Sequence, residues 1–326
     1  MAADGRDYYA RYYGDLLVLA DLLRDSPERA WLTNLPTDAA PAEYVLYLGC
    51  NVLRTMHLAE TVIDIMAYLG EDFTTLGGPA NCCGIGHSRR GETAAGEKLT
   101  GSTLRKLNAF APSKIVTWCP SCTFYLDKMI PTQRADSAPL QHFSEFLVER
   151  LDRLRFVRPV RRRVALHGHT GSAQQDQDAA MVARILEAIP GIERVELPAL
   201  DALGRHCAAS TIADVGGREP YLELVRQLMD QAAALEVDTV VTVYHSCQRE
   251  ICQEEGTYPF TVDNWVSLLA EALGLPAHED RFKRYKLLAD KERILADLGP
   301  RLAERGIARE KAERAVVTHF VEQSVE

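Results

Sequence analysis

Five of the eight cysteines lie in the first half of the chain, at spacings that suit metal chemistry. They are Cys50, the adjacent pair Cys82 and Cys83, and the pair Cys119 and Cys122. A Cys-x2-Cys loop lets two thiolates converge on one ion or cluster, as zinc and iron–sulfur sites require. Adjacent cysteines normally point apart, so the middle pair serves one site only in an irregular turn, which Gly84 and Gly86 allow.

A lone cysteine is most often a small buried hydrophobe. Five cysteines at these positions instead indicate a metal site. Zinc is one alternative, but a zinc site takes four ligands, whereas this set offers five. An iron–sulfur cluster uses the set better.

Short apolar runs predict the strands that position these cysteines. Residues 43–48 and 114–118 read as buried strands, and each run ends next to a cysteine. Helical patterns at 57–69 and 92–109 lie between them, so the order is that of a parallel α/β unit with right-handed crossovers. Because the carboxyl ends of parallel strands share one edge of a sheet, we expect the cysteines to meet there.

The second half repeats this scheme. Its predicted strands are 163–166, 194–197 and a closing strand at 239–244, and its predicted helices are 179–188 and 221–235. A further helix is predicted at 8–23, where the chain opens. Charged and apolar residues alternate at helical spacing over 278–326, with Gly299-Pro300 as the one turn signal. The predicted fold is α/β, with two pseudo-repeated parallel-sheet domains, an N-terminal helix and a helical C-terminal appendage. The predicted domains are 1–42, 43–155, 156–275 and 276–326.

Composition narrows the class of protein. The 326 residues include 37 basic and 46 acidic side chains, for a net charge of −9, which argues against nucleic acid as the main partner. No stretch approaches the roughly 18 apolar residues of a membrane span, and residues 1–9 lack the features of a signal peptide. We therefore expect a cytoplasmic protein. In a reducing compartment its grouped cysteines indicate metal or redox chemistry rather than disulfides.

The cysteine motifs carry a family resemblance. The phrases YLGC at 47–50, NCCGIG at 81–86 and WCPSC at 118–122 resemble the cysteine-rich CCG domain found in the B-type component of heterodisulfide reductase and in related iron–sulfur oxidoreductases. The resemblance covers about residues 43–275. It implies that the five cysteines named above hold a noncubane [4Fe-4S] cluster.

Related proteins carry two such motifs, and the second one is broken here. A shift of 125 residues places Cys82 on Cys207 and Cys122 on Cys247. The same shift places Cys83 on Ala208 and Cys119 on Tyr244. The first ligand position corresponds to Thr170, in the phrase HGHT at 167–170, where related sequences have a His-x-x-Cys phrase. A second noncubane cluster is therefore not expected.

Several metal-binding residues nevertheless remain around the second motif. They are Cys207, Cys247, Cys252, His167, His169, His206 and His245. One interpretation is a replacement site for zinc. Another is a catalytic set in which Cys207 and Cys247 are exchangeable thiols and His245 favours the thiolate. A third is a remnant pocket in which these residues only pack. His57 and His142 fall in predicted helices, and His87 is predicted to face solvent; none of the three is assigned a role.

The chain has no P-loop and no G-x-G-x-x-G after a strand, so its electrons are expected to come from another protein. The resemblance implies an oxidoreductase acting on sulfur groups, and the broken second motif fits the heterodisulfide reductase-like proteins of sulfur-oxidising organisms. We therefore expect an iron–sulfur subunit acting on a thiol, a disulfide or sulfur on a lipoyl-type carrier. Flavin or ferredoxin-type iron–sulfur subunits would be its partners. The alternative is a noncatalytic electron-transfer or structural subunit, holding a cluster or zinc.

Overall fold

The computed structural model describes residues 5–25, 31, 39–129, 136–169, 171–204, 207 and 209–322. Two four-stranded parallel sheets lie in this part of the chain, with helices before the first and after the second. The α/β fold predicted from the sequence, including its internal repeat, is confirmed.

The first sheet has the strand order β2-β1-β3-β4, and all neighbouring strands run parallel. Its strands are β1 (Tyr44–Gly49), β2 (Phe73–Gly77), β3 (Lys114–Thr117) and β4 (Leu140–His142). Its helices are α2 (Met56–Tyr68), α3 (Ile85–Arg89), α4 (Thr93–Asn108), α5 (Pro120–Phe124) and α6 (Phe143–Val148). Shorter turns are 3₁₀ at Asn51–Arg54, Pro79–Asn81 and Leu151–Arg153, and π-helical at Tyr125–Met129. Every residue of β1 is buried, as expected for a central strand covered on both faces.

The second sheet repeats this topology with the order β6-β5-β7-β8, again all parallel. Its strands are β5 (Arg162–His167), β6 (Ile192–Val195), β7 (Thr239–Thr242) and β8 (Thr261–Asn264). Its helices are α7 (Ala173–Ala188), α8 (Ala209–Asp214), α9 (Arg218–Ala234), α10 (His245–Ile251) and α11 (Trp265–Leu273), with 3₁₀ turns at Asp201–Leu203 and Cys252–Thr257.

Three strands lie where the sequence pattern did not predict them. Strands β2, β4 and β8 are only three to five residues long and mix polar with apolar side chains. The prediction that 239–244 is the closing strand is wrong, because β8 pairs with β7 and forms the edge. The helical assignment of His142 is also wrong, because this residue ends β4.

The C-terminal residues form the predicted helices but break at other points. The helices are α12 (Arg281–Leu288), α13 (Lys291–Arg305) and α14 (Arg309–Val316), followed by a π-helical turn at Val317–Val321. Gly299-Pro300 is not a turn, because both residues lie inside α13. The apolar face of α13, with Leu298 and Leu302 buried, outweighs the hydrogen bond that proline removes. The breaks fall at Ala289 and Gly306, which both have positive φ.

The N-terminal helix α1 (Gly5–Leu23) packs against α13 and α14. Its residues Leu16, Leu19 and Leu22 are fully buried. Polar contacts reinforce this packing, since Arg301 Nη1 donates to the carbonyl oxygen of Arg24 at 2.6 Å. The C-terminal helices therefore have a partner within the chain.

The chain divides into two compact units. One consists of Ser26–Val52 and Ala59–Arg155 and contains the first sheet. The other consists of Met1–Asp25, Leu53–Leu58 and Phe156–Glu326 and contains the second sheet with the terminal helices. Among the described residues, no helix has both the length and the apolar character needed to cross a bilayer.

Candidate metal centres

The five cysteines of the first motif, called here the motif cysteines, all follow the carboxyl ends of strands in the first sheet. Cys50 directly follows β1, and Cys82 and Cys83 follow the 3₁₀ turn after β2. After β3, Cys119 is the N-cap residue of α5 and Cys122 lies within that helix. Four of them are buried, and Cys50 is half-buried. The sheet edge thus gathers five thiols from three segments that are far apart in sequence.

The thiols lie close enough to interact. The Sγ atoms of Cys50 and Cys82 are 3.4 Å apart, and the Cys122 thiol is hydrogen-bonded with those of Cys119 and Cys83. Gly49 gives them room, because a Cβ there would lie 2.9 Å from Cys122 Sγ. The last residue of β1 must therefore lack a side chain for the thiols to approach the strand this closely.

The turn that carries the adjacent cysteines requires a glycine. Gly84 has a φ of +92°, and a Cβ on it would lie 2.6 Å from the carbonyl oxygen of Gly96 and 2.7 Å from Thr100 Oγ1. Contacts that close do not occur for real side chains, so position 84 must lack one. The glycine of the CCG motif lets helix α4 approach the cysteine turn.

Helix α4 also fixes that turn through hydrogen bonds that the sequence motifs did not indicate. Thr100 Oγ1 donates to the carbonyl oxygen of Cys83, and Thr103 Oγ1 donates to that of Cys82, both at 2.7 Å. Lys106 Nζ donates to the carbonyl oxygen of Ala80 at 2.6 Å. The three donors lie at i, i+3 and i+6, so polar residues repeated on one helical face were the signal in the sequence.

Proximity and burial make the thiols resist ionisation in the absence of a cation. The hydrogen bond with Cys82, followed by burial, raises the pKa of Cys50 well above its usual value. The pKa of Cys122 is raised in the same way by hydrogen bonds with Cys119 and Cys83 and by burial. Bound metal would favour the thiolates and release their protons. Five convergent thiols fit an iron–sulfur cluster better than a hard cation, which prefers oxygen ligands.

A second set of ligand-type side chains meets at the equivalent edge of the second sheet. These residues, called here the second-copy group, are His167, His169, Cys207 and Cys247. One ligand atom from each lies within 4.8 Å of all the others, and all four residues are buried. The group draws on the end of β5, the segment before α8 and the first turn of α10.

The second-copy group contains close contacts between nitrogen and sulfur and one between its two sulfur atoms. The Nε2 atom of His169 lies 3.2 Å from Cys247 Sγ and 3.5 Å from Cys207 Sγ, and His167 Nε2 lies 3.5 Å from Cys207 Sγ. Burial alone would raise the pKa of Cys247, but the hydrogen bond with Cys207 and the charge of His169 hold it well below its usual value. Burial lowers the pKa of His167.

His245 and Cys252, which also lie close to the second motif in the sequence, do not join this group. His245 is buried as the first residue of α10. The Sγ atom of Cys252 donates to the carbonyl oxygen of Arg249 at 3.5 Å. Tyr244, at the position of Cys119 in the first motif, donates its hydroxyl to Asp178 at 2.8 Å. Thr170, His206 and Ala208 lie outside the described residues.

The three histidines without an assigned role have protein partners. His57 lies at the start of α2, with Nε2 3.3 Å from Asp280 Oδ2. His142 Nδ1 lies 2.8 Å from Ser144 Oγ. The His87 side chain is only 13 % exposed and lies 2.7 Å from Glu92, so the expectation that it faces solvent is wrong.

The sequence of this chain also matches the profile of a known protein family. The profile of the family described as "CCG: Cysteine-rich domain" matches residues 44–127 and again 168–251. The two matches together cover just over half of the chain and include all five motif cysteines. They also confirm that the second half repeats the first.

Three relatives share this sequence at low identity. The D component of dihydromethanophenazine:CoB–CoM heterodisulfide reductase is 23 % identical over 78 % of this chain in Methanosarcina acetivorans, and 22 % identical over 78 % in Methanosarcina barkeri. The chain spans 64 % of the length of both proteins. The EtfAB:quinone oxidoreductase of Syntrophomonas wolfei is 28 % identical over 37 % of this chain and 17 % of its own length.

Proposed function

Because the chain belongs to the CCG cysteine-rich domain family, we propose that it is an iron–sulfur subunit of a heterodisulfide reductase-like complex. The motif cysteines would hold one noncubane [4Fe-4S] cluster. The observation that carries this proposal is the convergence of five thiols at one sheet edge, with glycines wherever a side chain would collide. The names of the relatives support a redox role, since each describes an oxidoreductase or one of its components.

The cluster would supply iron that coordinates a sulfur atom and exchanges single electrons. The protein's own contribution is to hold and shield that site. Helix α4 fixes the turn of Cys82 and Cys83. The buried Tyr47 donates its hydroxyl to the carbonyl oxygen of Asn81, the residue directly before Cys82. The half-buried Cys50 marks the side that faces solvent and therefore the side open to a substrate.

The substrate class we propose is a thiol, a disulfide or sulfur on a lipoyl-type carrier. Reduction of a disulfide consumes two electrons and two protons and yields two thiols, and the reverse reaction returns them. A flavin or ferredoxin-type iron–sulfur subunit would exchange these electrons with the chain. With three of five cysteines replaced in the second copy, the reaction would use one cluster.

Anaerobic purification tests the cluster directly. Wild-type protein should be brown and contain about four iron and four sulfide per chain. Cys83→Ala should abolish both, while Cys252→Ala, a buried cysteine outside both motifs, should retain them. Colourless wild-type protein, or equal iron in both variants, would overturn the proposal.

A noncatalytic electron-transfer subunit is the second candidate function. It is favoured by the complete burial of Cys207 and Cys247, which places both thiols out of reach of a bulky substrate. The prediction that these cysteines and His245 are catalytic requires lower turnover with unchanged iron when Cys207 or Cys247 is replaced by Ala. If the assembled complex still turns over the disulfide after Cys207→Ala and after Cys247→Ala, these thiols do not take part in the reaction. That result would favour a noncatalytic electron-transfer subunit.

A further inference from the structure

The second copy of the repeat carries a feature that the cluster in the first copy does not explain. Its sheet edge holds two imidazoles and two thiols, all of them buried, at positions that the first copy uses for sulfur ligands. We propose that the second-copy group forms a closed site for one zinc ion. This site would be independent of the cluster, because it uses none of the motif cysteines.

The distances agree with tetrahedral zinc. Zinc lies about 2.3 Å from sulfur and about 2.0–2.1 Å from imidazole nitrogen, so a tetrahedral angle separates N and S ligands by about 3.5 Å. Three of the four N–S distances in the group are 3.2, 3.5 and 3.5 Å. The ligand atoms thus need only small shifts to surround an ion.

The histidine ring orientation also suits a metal. His169 Nδ1 lies 2.9 Å from the carbonyl oxygen of Gly204, which can only accept, so Nδ1 carries the hydrogen. When a metal replaces the proton on Nε2, the neutral ring directs the lone pair of Nε2 toward the two sulfur atoms. A metal-bound histidine characteristically donates its other N–H to such a second partner, which fixes both its tautomer and its orientation.

The donor set favours zinc over other metals. Two thiolates and two imidazoles in a tetrahedral arrangement are a recurrent structural zinc set, whereas calcium and magnesium require oxygen ligands. Four protein ligands leave no open position, so the ion would stabilise structure rather than catalyse a reaction. A neighbouring cavity of about 730 Å³, lined partly by His167 and His169, provides a route of entry.

The site would replace the cluster as the cross-link of the second sheet edge. His167 ends β5 and His169 follows it, Cys207 precedes α8, and Cys247 lies in the first turn of α10. In the first copy, the segments after β1, β2 and β3 supply the motif cysteines in the same order along the chain. The zinc ion would thus tie together the three segments that the cluster ties together in the first copy.

Metal analysis of the full-length protein, purified anaerobically from zinc-supplemented cells, tests this site. We expect one zinc per chain that survives dialysis against a weak chelator, with sulfur and nitrogen scatterers in equal number in the zinc X-ray absorption spectrum. His169→Ala and Cys247→Ala should lose the zinc and lower the thermal midpoint, with iron unchanged. Cys252→Ala should keep the zinc.

Two further variants separate this proposal from its alternatives. His169→Cys supplies another zinc ligand and should keep the metal, which shows that loss in His169→Ala is not general misfolding. Cys83→Ala should lose iron and keep zinc, so failure of the cluster proposal would leave this one standing. Wild-type protein without zinc, zinc retained in His169→Ala, iron at this site, or a Cys207–Cys247 disulfide in non-reducing mass spectrometry would each overturn the proposal.

Discussion

Thr103 on helix α4 donates a hydrogen bond of 2.7 Å to the carbonyl oxygen of Cys82, 21 residues earlier in the chain. Both residues are buried, so no bulk solvent can replace this donor. A residue outside the cysteine motif therefore fixes the backbone of a proposed cluster ligand.

Replacing Thr103 by Val should loosen the cysteine turn. The substitution keeps the shape and leaves the Cys82 carbonyl short of a donor, which lowers the free energy of unfolding by about 1–3 kcal/mol. Faster loss of iron to a chelator, followed by absorbance, should accompany this change. Thr103→Ser keeps the hydroxyl and should behave as wild type; equal rates in both variants would contradict a role for the hydrogen bond.

Gly49→Ala should remove the cluster. Position 49 has a φ of +74°, and a Cβ would lie 2.9 Å from Cys122 Sγ and 3.2 Å from Cys119 Cβ. The added methyl group would therefore displace two proposed ligands as well as strain the backbone. Iron per chain should fall severalfold in anaerobic metal analysis.

Gly70→Ala is the matched control for that substitution. Gly70 has a similar φ of +68°, but a Cβ there has nothing within 4 Å. Gly70→Ala should lower the free energy of unfolding by about 1 kcal/mol through backbone strain alone and leave the iron content unchanged. If both variants lose iron alike, backbone strain rather than contact with sulfur is the cause.

The sequence predicted those parts of the fold in which one short segment determines its own structure. The run of β1 is largely apolar, three of the four residues of β3 are buried, and the spacing of the motif cysteines follows the strand ends. Strands β4 and β8 have polar residues at most of their positions and take their structure from pairing with β3 and β7. Local patterns cannot predict such pairing.

The same distinction applies to the candidate sites. The repeat shift identified Cys207 and Cys247, but it also grouped them with His245 and Cys252, which the structure places outside the second-copy group. The orientation of His169 depends on a carbonyl group 35 residues away, which no local sequence pattern indicates. Pro300 shows a similar effect, since packing of α13 overrides a local turn signal.

Tyr244→Phe should destabilise the second copy at the position where the first copy has Cys119. The Tyr244 hydroxyl donates to buried Asp178 at 2.8 Å, and both side chains are almost fully buried. Loss of that hydrogen bond should lower the free energy of unfolding by about 1–3 kcal/mol in anaerobic urea titrations. Tyr258→Phe removes a 2.9 Å bond to exposed Asp230 and should change it by less than about 0.5 kcal/mol. If both variants lose the same free energy of unfolding, burial does not make the Tyr244 hydrogen bond more stabilising than an exposed one.

His319 should make the protein less stable in mild acid. Burial, followed by the positive charges of Arg54 and Arg249, lowers the pKa of His319 to about 3. The unfolded chain has the usual pKa of about 6.5, so between these values it binds a proton that the folded chain refuses. Stability therefore falls as the pH drops below about 6.5, by about 1.4 kcal/mol between pH 7.5 and 5.5.

Urea unfolding of wild type and His319→Gln at those two pH values isolates this contribution. The glutamine side chain cannot take up a proton, so the variant should lose about 1.4 kcal/mol less than wild type on acidification, whatever its stability at pH 7.5. Other groups that titrate in this range contribute equally to both proteins and cancel in the comparison. An identical loss in the two proteins would mean that His319 accepts a proton in the folded state, and that burial beside Arg54 and Arg249 does not exclude it.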